Sequence, residues 1–458
     1  AISIMTGLNT FFVAVLLVIV GTFSLFMAGS IAFLKLLQKN KRYYYKTNHF
    51  ISVSGMIYRM KQNAASLSLI CIMSTGVLLL ISSTTSLYVG QEHSLYMHYP
   101  KEFRISLSLG TEPDDSAQFE KELKEIGTYA ENYLKDNKIA TQNAAGQTVI
   151  EAAALQKDGN VQITSSRNGS SEDFSDLCMV QAITLEDYNR EAKKDETLED
   201  REALVFFEDS PIQQETFSIN DMHWKVRQLS ADSTMEDSGL KFYVTPVYRI
   251  VVKDFAQLQE IWKINKEAYG DHASQVKYEY SFDVDFPEEK IQKLTSSLHA
   301  YLGEQKDAPH AFVYGIENRT EGRAEFYSLY GGLFFLGIFL GLLFVMATVL
   351  IIYYKQISEG YEDKERFAIL KKIGMERGEI NASIHSQVLM VFFLPLVLAG
   401  IHSCFAFHLV KEILMGGFGL WDVKLLVLSA VLTFLAFAVF YVIVYLLTAR
   451  EYYKIVSE

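Results

Sequence analysis

The sequence is poor in the groups that do covalent chemistry. It has three cysteines in 458 residues. Cys71 and Cys404 fall in long apolar runs, and Cys178 stands alone in the polar middle of the chain. No internal disulfide can staple that middle region, so it must hold together by core packing. There is no CxxC and no HExxH, which removes the familiar redox and zinc frameworks, and no GxSxG, which removes the nucleophile elbow of the α/β hydrolases. GxxxxGK[ST] is missing too, so the chain does not cradle ATP phosphates by the usual loop. Among function classes, an enzyme is the least expected.

Charge is absent over long stretches. Leu8–Leu34, Leu67–Gln91, Phe326–Tyr354 and Leu425–Thr448 contain no Asp, Glu, Lys, Arg or His, and Ile380–Val410 contains only three His. Each run exceeds the ~20 residues that a helix needs to cross the hydrocarbon core, which predicts five transmembrane helices. Acidic residues are missing between the first two runs, where Lys35, Lys39, Lys41, Arg42, Lys46, Arg59 and Lys61 lie. The positive-inside rule makes that loop cytoplasmic. Alternation then places residues 92–325 outside the cell, Lys355–Glu379 inside and the C-terminus inside, at the cell membrane. The same alternation puts Ala1 outside. With no initiator Met and no basic n-region of a signal peptide, the chain reads as the C-terminal portion of a longer protein lacking an odd number of upstream spans.

The polar middle carries the acidity. Residues 91–327 hold 44 Asp and Glu against 25 Lys and Arg, while the rest of the chain has 10 acidic and 17 basic residues. Strand-like and helix-like patterns alternate here. KEFRISLSL (101–109) reads as a strand. Residues 114–137 read as a helix with Phe119, Leu123, Ile126 and Leu134 on a recurring face. Further strand patterns fall near Val149–Leu155, Val180–Ile183, Ala203–Phe207 and His223–Leu229. VYRIVVKDFAQLQEIWKIN and VKYEYSFDVDFPEEKIQKL each read strand then helix, and HAFVYGIEN closes with a strand. The predicted fold class is an α-helical membrane protein with a large extracellular α+β domain, of one or two lobes, inserted between the second and third spans. The predicted layout is 1–91, two transmembrane helices with a cytoplasmic interfacial helix; 92–325, the extracellular domain; and 326–458, three transmembrane helices with a cytoplasmic coupling helix.

Several smaller patterns have a structural and a functional reading. Gly337 and Gly341 form a GxxxG in the third span, where internal helix packing is favoured over a dimer seam. Residues 50–66 mix Met56 and Tyr58 with Arg59 and Lys61, which suits a helix lying on the cytoplasmic interface; a plain extension of the second span fits the same residues. His385, His402 and His408 in the fourth span read as neutral side chains facing neighbouring helices, and Pro395 as a kink. Asp283, Asp285, Glu288 and Glu289 cluster, but strand alternation and a helix start after Pro287 account for them better than a metal loop.

The stretch ERFAILKKIGMERGEI, Glu365–Ile380, lies between two spans and repeats Phe367, Leu370 and Ile373 on one helical face, with Gly374 placed to end the helix. Six basic and six acidic residues across Lys355–Glu379 suit a protein surface better than anionic lipid. The stripe therefore calls for a protein partner, with Glu365 and Arg366 at its rim.

These residues resemble a known family. KERFAILKKIGMERGEI is similar to the cytoplasmic elbow of FtsX-like ABC-transporter permeases, and VSGMIYRMKQNAASLSLICIMSTGVLLLISSTTSLYVG (53–90) resembles their bacitracin-resistance subfamily. The order span, span, large outer domain, three spans is similar too. The resemblance implies ten spans in the whole protein, five of them upstream. It implies a non-catalytic permease with no cofactor of its own, ATP being bound by a separate ATPase subunit that acts as a dimer. It further implies resistance to cell-wall-targeting antimicrobial peptides, with the peptide antibiotic or its lipid-linked target as ligand, membrane lipid as surroundings and a sensor histidine kinase as a further partner. Nothing points to nucleic acid. Two other readings remain: a signalling component controlling such a kinase, and an FtsX-type activator of cell-wall hydrolases, whose four spans and smaller outer domain this chain contradicts.

Overall fold

The computed structural model describes residues 4–39, 44, 47–157, 159–165, 176–207, 210–228, 246–305, 310–372, 377–420 and 422–457. The chain forms two compact units, one chiefly Gln91–Leu329 and the other built from Gly7–Gly90, Tyr330–Met415 and Leu420–Glu458.

The helical unit is built on α1 (Ile4–Ser24), which continues through a π-turn at Leu25–Gly29 into α2 (Ser30–Lys39), and on α3 (Thr47–His98). α8 (Arg319–Lys372), α9 (Arg377–Phe418) and α10 (Val423–Ser457) follow the sheet unit in sequence. Among the described residues, five helices are long and apolar enough to cross a membrane: Phe12–Gly29, Asn63–His98, Arg319–Glu365, Phe392–Gly416 and Val423–Val456. Residues 50–66 and the second span form one unbroken helix, α3, with no turn between them. Pro395 lies inside α9, which continues past it.

The bundle core gathers Phe26, Cys71, Phe392, Tyr441, Tyr445 and Tyr452, all buried. Small residues let the helices approach. A Cβ at Gly341 would come within 2.9 Å of Ile81, and one at Gly337 would run into Thr84, so the GxxxG of α8 seats against α3. Gly400 of α9 meets Phe434 of α10 in the same way, at 2.9 Å. Tyr441 donates its hydroxyl to the Phe392 carbonyl at 2.9 Å, and Ser429 donates to the Ser82 carbonyl at 3.2 Å, linking α10 to α9 and to α3.

Among the described residues, the second unit holds one mixed sheet of eleven strands. Its strands are β1 (Phe103–Leu109), β2 (Gln142–Lys157), β3 (Asn160–Gln162), β4 (Leu177–Thr184), β5 (Glu202–Phe207), β6 (Ser210–Pro211), β7 (Thr216–Ile219), β8 (Met222–Val226), β9 (Val247–Val252), β10 (Lys277–Asp283) and β11 (Phe312–Asn318). Pairing runs β11-β1-β10-β2-β3-β7-β8-β5-β9-β4, and β4 returns to pair with β2, so seven of the strands close a ring. The two strand-then-helix repeats lie in this one sheet, with β9 beside β4 and β5, and β10 beside β1 and β2. It is a single continuous sheet rather than two lobes.

Alternation along the strands divides the faces. Phe103, Ile105 and Leu107 of β1, Tyr280 and Phe282 of β10, Ile150 and Ala152 of β2 and Ile250 of β9 belong to one large core. Helices α4 (Ser116–Asp136), α6 (Phe255–Tyr269) and α7 (Glu288–Gln305) contribute Phe119, Leu123 and Ile126, Leu258, Ile261 and Trp262, and Leu294 and Leu298 to it. α4 starts where Asp115 accepts from the Gln118 N–H at 2.8 Å, and α6 where Asp254 accepts from Gln257 N–H at 3.1 Å. Gly270 closes α6 at φ +57°, a conformation that favours glycine. On the opposite face a short helix, α5 (Leu185–Ala192), covers a second, smaller core of Val149, Ile183, Tyr188, Leu204, Phe206 and Val251. Beside it the same face carries Arg104, Ser106, Gln147, Glu151, Gln181 and Glu279.

Candidate functional site

The polar part of the face forms a cavity of about 250 Å³. Its floor follows directly from strand register. Arg104 and Ser106 on β1 lie opposite Ser281 and Glu279 on β10; Glu279 in turn lies opposite Gln147 on β2; Glu151 on β2 lies opposite Gln181 on β4, and Gln181 opposite Arg249 on β9. Five strands thus present polar side chains on the face whose reverse is the main core. Asp187, Arg190 and Glu191 on α5 form one wall.

The wall is anchored by a satisfied network. Asp187 accepts from the Thr148 N–H at 2.7 Å and from Arg190, and Arg190 also donates to the Gly146 carbonyl. Burial pushes the Asp187 carboxyl above its usual range, against the pull of the Thr148 N–H and of Arg190. Glu191 accepts from Arg249 at 3.0 Å.

The floor is less completely satisfied. Glu279 is 9% exposed and accepts one hydrogen bond, from Gln147 at 3.3 Å. Burial raises its pKa, with Glu151 adding to the rise and Arg104, Lys277 and Gln147 opposing it. Arg104 faces Glu317 at 3.8 Å and Lys277 faces Glu151 at 3.7 Å, separations longer than a direct hydrogen bond. Gln181 donates to Glu151 at 3.1 Å, but its Oε1 has no hydrogen-bond partner among the described residues. Arg249, beside Gln181 but outside the cavity lining, is 2% exposed, and its Nε and Nη1 likewise have none. Among the described residues no group of three or more His, Cys, Asp or Glu is arranged to hold a metal ion.

The residues singled out from the sequence lie elsewhere. Glu365 is exposed on α8. Arg366, Phe367 and Leu370 belong to the same helix, and Met56, Tyr58, Arg59 and Lys61 to α3; their side chains lie outside the described residues, as do Ile373 and Gly374 entirely. His402 Nδ1 lies 3.9 Å from Cys71 Sγ, a contact between α9 and α3. Asp283 accepts from the Glu102 N–H at 2.8 Å and from Asn143 at 3.0 Å, while Glu288 and Glu289 open α7.

Two further clusters have no sequence signature. Arg319, at the start of α8, donates to the carbonyls of Tyr99 and Pro100 at 2.8 and 2.6 Å, pairs with Glu102 and Asp283 at 3.7 Å each, and stacks over the Tyr96 ring at 4.6 Å. It clasps the points where the chain enters and leaves the sheet. In the helical unit, Asn63 of α3 donates to Glu359 of α8, and Tyr452 of α10 donates to Asp363, one turn further along α8. Lys355 lies 3.9 Å from Glu359.

Residues 333–456 match the family model described as FtsX-like permease C-terminal. This segment is an FtsX-like permease domain. It takes in most of α8, all of α9 and nearly all of α10, and so contains Gly337, Gly341, Glu359, Asp363 and the Glu365–Gly374 stretch. Over a greater length, the chain is similar to the ABC transporter permease protein YxdM of Bacillus subtilis (strain 168): 24% identical over 408 residues, 86% of this chain and 57% of that protein. It is also 24% identical to the bacitracin export permease protein BceB of Halalkalibacterium halodurans over 88% of this chain and 58% of that one. To BceB of Bacillus subtilis (strain 168) the identity is 24% over 85% and 55%. The chain spans a little over half the length of these curated relatives. The FtsX-like domain and the five apolar helices mark a membrane protein.

Proposed function

We propose that the chain is part of the permease subunit of an ABC transporter that protects the cell against cell-wall-targeting antimicrobial peptides. The observation that carries this reading is the FtsX-like domain at 333–456 within a similarity to bacitracin export permeases that runs over most of the chain. ATP is bound and hydrolysed by a separate subunit. The sheet unit faces the outside, carries ligand specificity and moves when that ATPase cycles. The basic loop after the first span and the C-terminus face the cytoplasm. Phe367, Leu370 and Ile373 seat in a groove of the ATPase, with Glu365 and Arg366 fixing register and Gly374 ending the contact helix. Met56, Tyr58, Arg59 and Lys61 lie at the cytoplasmic membrane surface. The surplus of carboxylates over residues 91–327 favours cationic peptides through long-range attraction, which weakens with salt. A sensor histidine kinase is a further partner, reading the same motion.

The test is an exchange of residues 92–325 between this protein and a relative that resists different peptides. On this reading the spectrum of resisted peptides follows the exchanged segment. A spectrum that follows the spans contradicts it.

A further inference from the structure

The polar cavity of the sheet unit has hydrogen-bonding capacity that the protein does not use. Glu279 and Gln181 are at least nine-tenths buried, and groups so placed normally find partners, because an unpaired buried donor or acceptor costs about 1–3 kcal/mol. Yet Gln181 Oε1, in the cavity lining, lacks a donor among the described residues. Arg104 and Lys277 stand 3.8 and 3.7 Å from their carboxylates, longer than a direct hydrogen bond, so their N–H groups can turn to another acceptor. The unused capacity is of both kinds. The cationic donors call for an acceptor-rich anionic group, while Gln181 Oε1 and the Glu279 carboxyl call for a donor. Charges of both signs alternate along the floor, so neither a pure anion nor a pure cation matches it.

We infer that this cavity binds a small zwitterion, a carboxylate with an ammonium group a few ångströms away, as presented by a free amino acid or a short peptide. The carboxylate lies toward Arg104 and Lys277 and the donor toward Gln181 and Glu279. A volume of about 250 Å³ admits one or two residues and excludes a folded peptide. The inference rests on the reading of the sheet unit as the ligand-bearing part of a permease.

The experiment is saturation-transfer NMR and calorimetric titration of the whole chain in lipid nanodiscs. The probes are glycine, glycylglycine, N-acetyl-glycylglycine and glycylglycinamide. Glycylglycine is expected to bind, and each blocked form to bind at least about tenfold more weakly, which corresponds to about 1.4 kcal/mol. Binding of glycine as tight as that of glycylglycine identifies free amino acids as the source; a preference for the dipeptide identifies a peptide. Lys277→Met, at the cavity mouth, is expected to weaken binding at least about tenfold. Gln181→Leu should do the same, but it alters a buried position, so its melting temperature is measured alongside. If no probe binds, or binding ignores both blocking groups and Lys277→Met, the inference is overturned and the cavity holds only water. The larger reading fails separately. Exchange of residues 92–325 that transfers resistance without dipeptide binding rejects only the cavity assignment, and binding without transfer of resistance rejects only the ligand role of the unit.

Discussion

Tyr452 near the end of α10 donates its hydroxyl to Asp363 of α8, and one turn earlier on α8 Glu359 accepts from Asn63 of α3. Three helices far apart in sequence are thus joined by two adjacent carboxylates, both buried. In an apolar bundle such contacts add hydrogen-bond energy that close packing alone does not supply. Tyr452→Phe is expected to lower stability in detergent by about 1 kcal/mol, and Asp363→Ala by about 2 kcal/mol or more, because it removes the buried charged acceptor of the bond. Thermal unfolding of the purified variants checks both. Equal and negligible shifts would show that the latch adds nothing to bundle stability.

The close contact of α8 and α3 predicts sensitivity to volume. Gly341→Leu forces a side chain into the place of Ile81, which already lies 2.9 Å from where a Cβ would stand. Overpacking of this kind costs about 1–3 kcal/mol. The expected outcome is a lower melting temperature and a shift toward aggregate in size-exclusion chromatography. Phe335→Ala, on the same helix but 71% exposed, should leave both unchanged.

Arg319 makes two carbonyl hydrogen bonds, two ion pairs and a cation–π contact while only 13% of its side chain is exposed. Arg319→Ala is expected to destabilise the sheet unit by about 2–4 kcal/mol, since it takes the donor from two carbonyls and the counter-charge from Glu102 and Asp283. Arg319→Lys keeps the charge but not the planar fork, and should recover less than half of the loss. Limited proteolysis within residues 91–329 reads the effect.

Glu279 predicts a pH dependence. Its folded-state pKa is raised above the ordinary 4.5 by burial, so the folded state holds the proton to higher pH than the unfolded state does. This group therefore disfavours unfolding least at high pH: stability is greatest below the ordinary value and declines as pH rises through the folded value. Glu279→Gln should flatten that decline and raise the melting temperature at neutral pH. A variant with the wild-type slope would contradict the assignment.

Much of this fold is legible in the sequence. The uncharged runs mark the five long helices, and Phe119, Leu123, Ile126 and Leu134 mark α4 because four large apolar residues at helical spacing have only one economical arrangement. Other parts were hidden for physical reasons. β2 begins at Gln142, well before Val149, in an Ala- and Gly-rich stretch with little strand preference of its own; pairing with β10 holds it extended. α5 is eight residues long and mostly polar, so Tyr188 beneath it gives no periodic signal. The polar cavity was invisible because its residues come from five strands separated in sequence, and each looks like an ordinary solvent-facing position in its own strand. Gly337 and Gly341 stand out in the sequence as a GxxxG, but only the structure names Thr84 and Ile81 as their neighbours.

The central claim is that this chain works through a separate ATPase gripped by the stripe after the third span. Co-purification of that ATPase with the membrane-inserted protein tests it most directly. Phe367→Ala is expected to cost about 2 kcal/mol or more of binding, roughly a thirtyfold loss of affinity, because desolvated aromatic anchors dominate such interfaces. Glu365→Ala, at an exposed position, should cost about 0–1 kcal/mol. The account predicts that Phe367→Ala combined with Leu370→Ala reaches the membrane normally but retains little ATPase and confers no resistance. Normal co-purification and normal resistance in that double variant would contradict it.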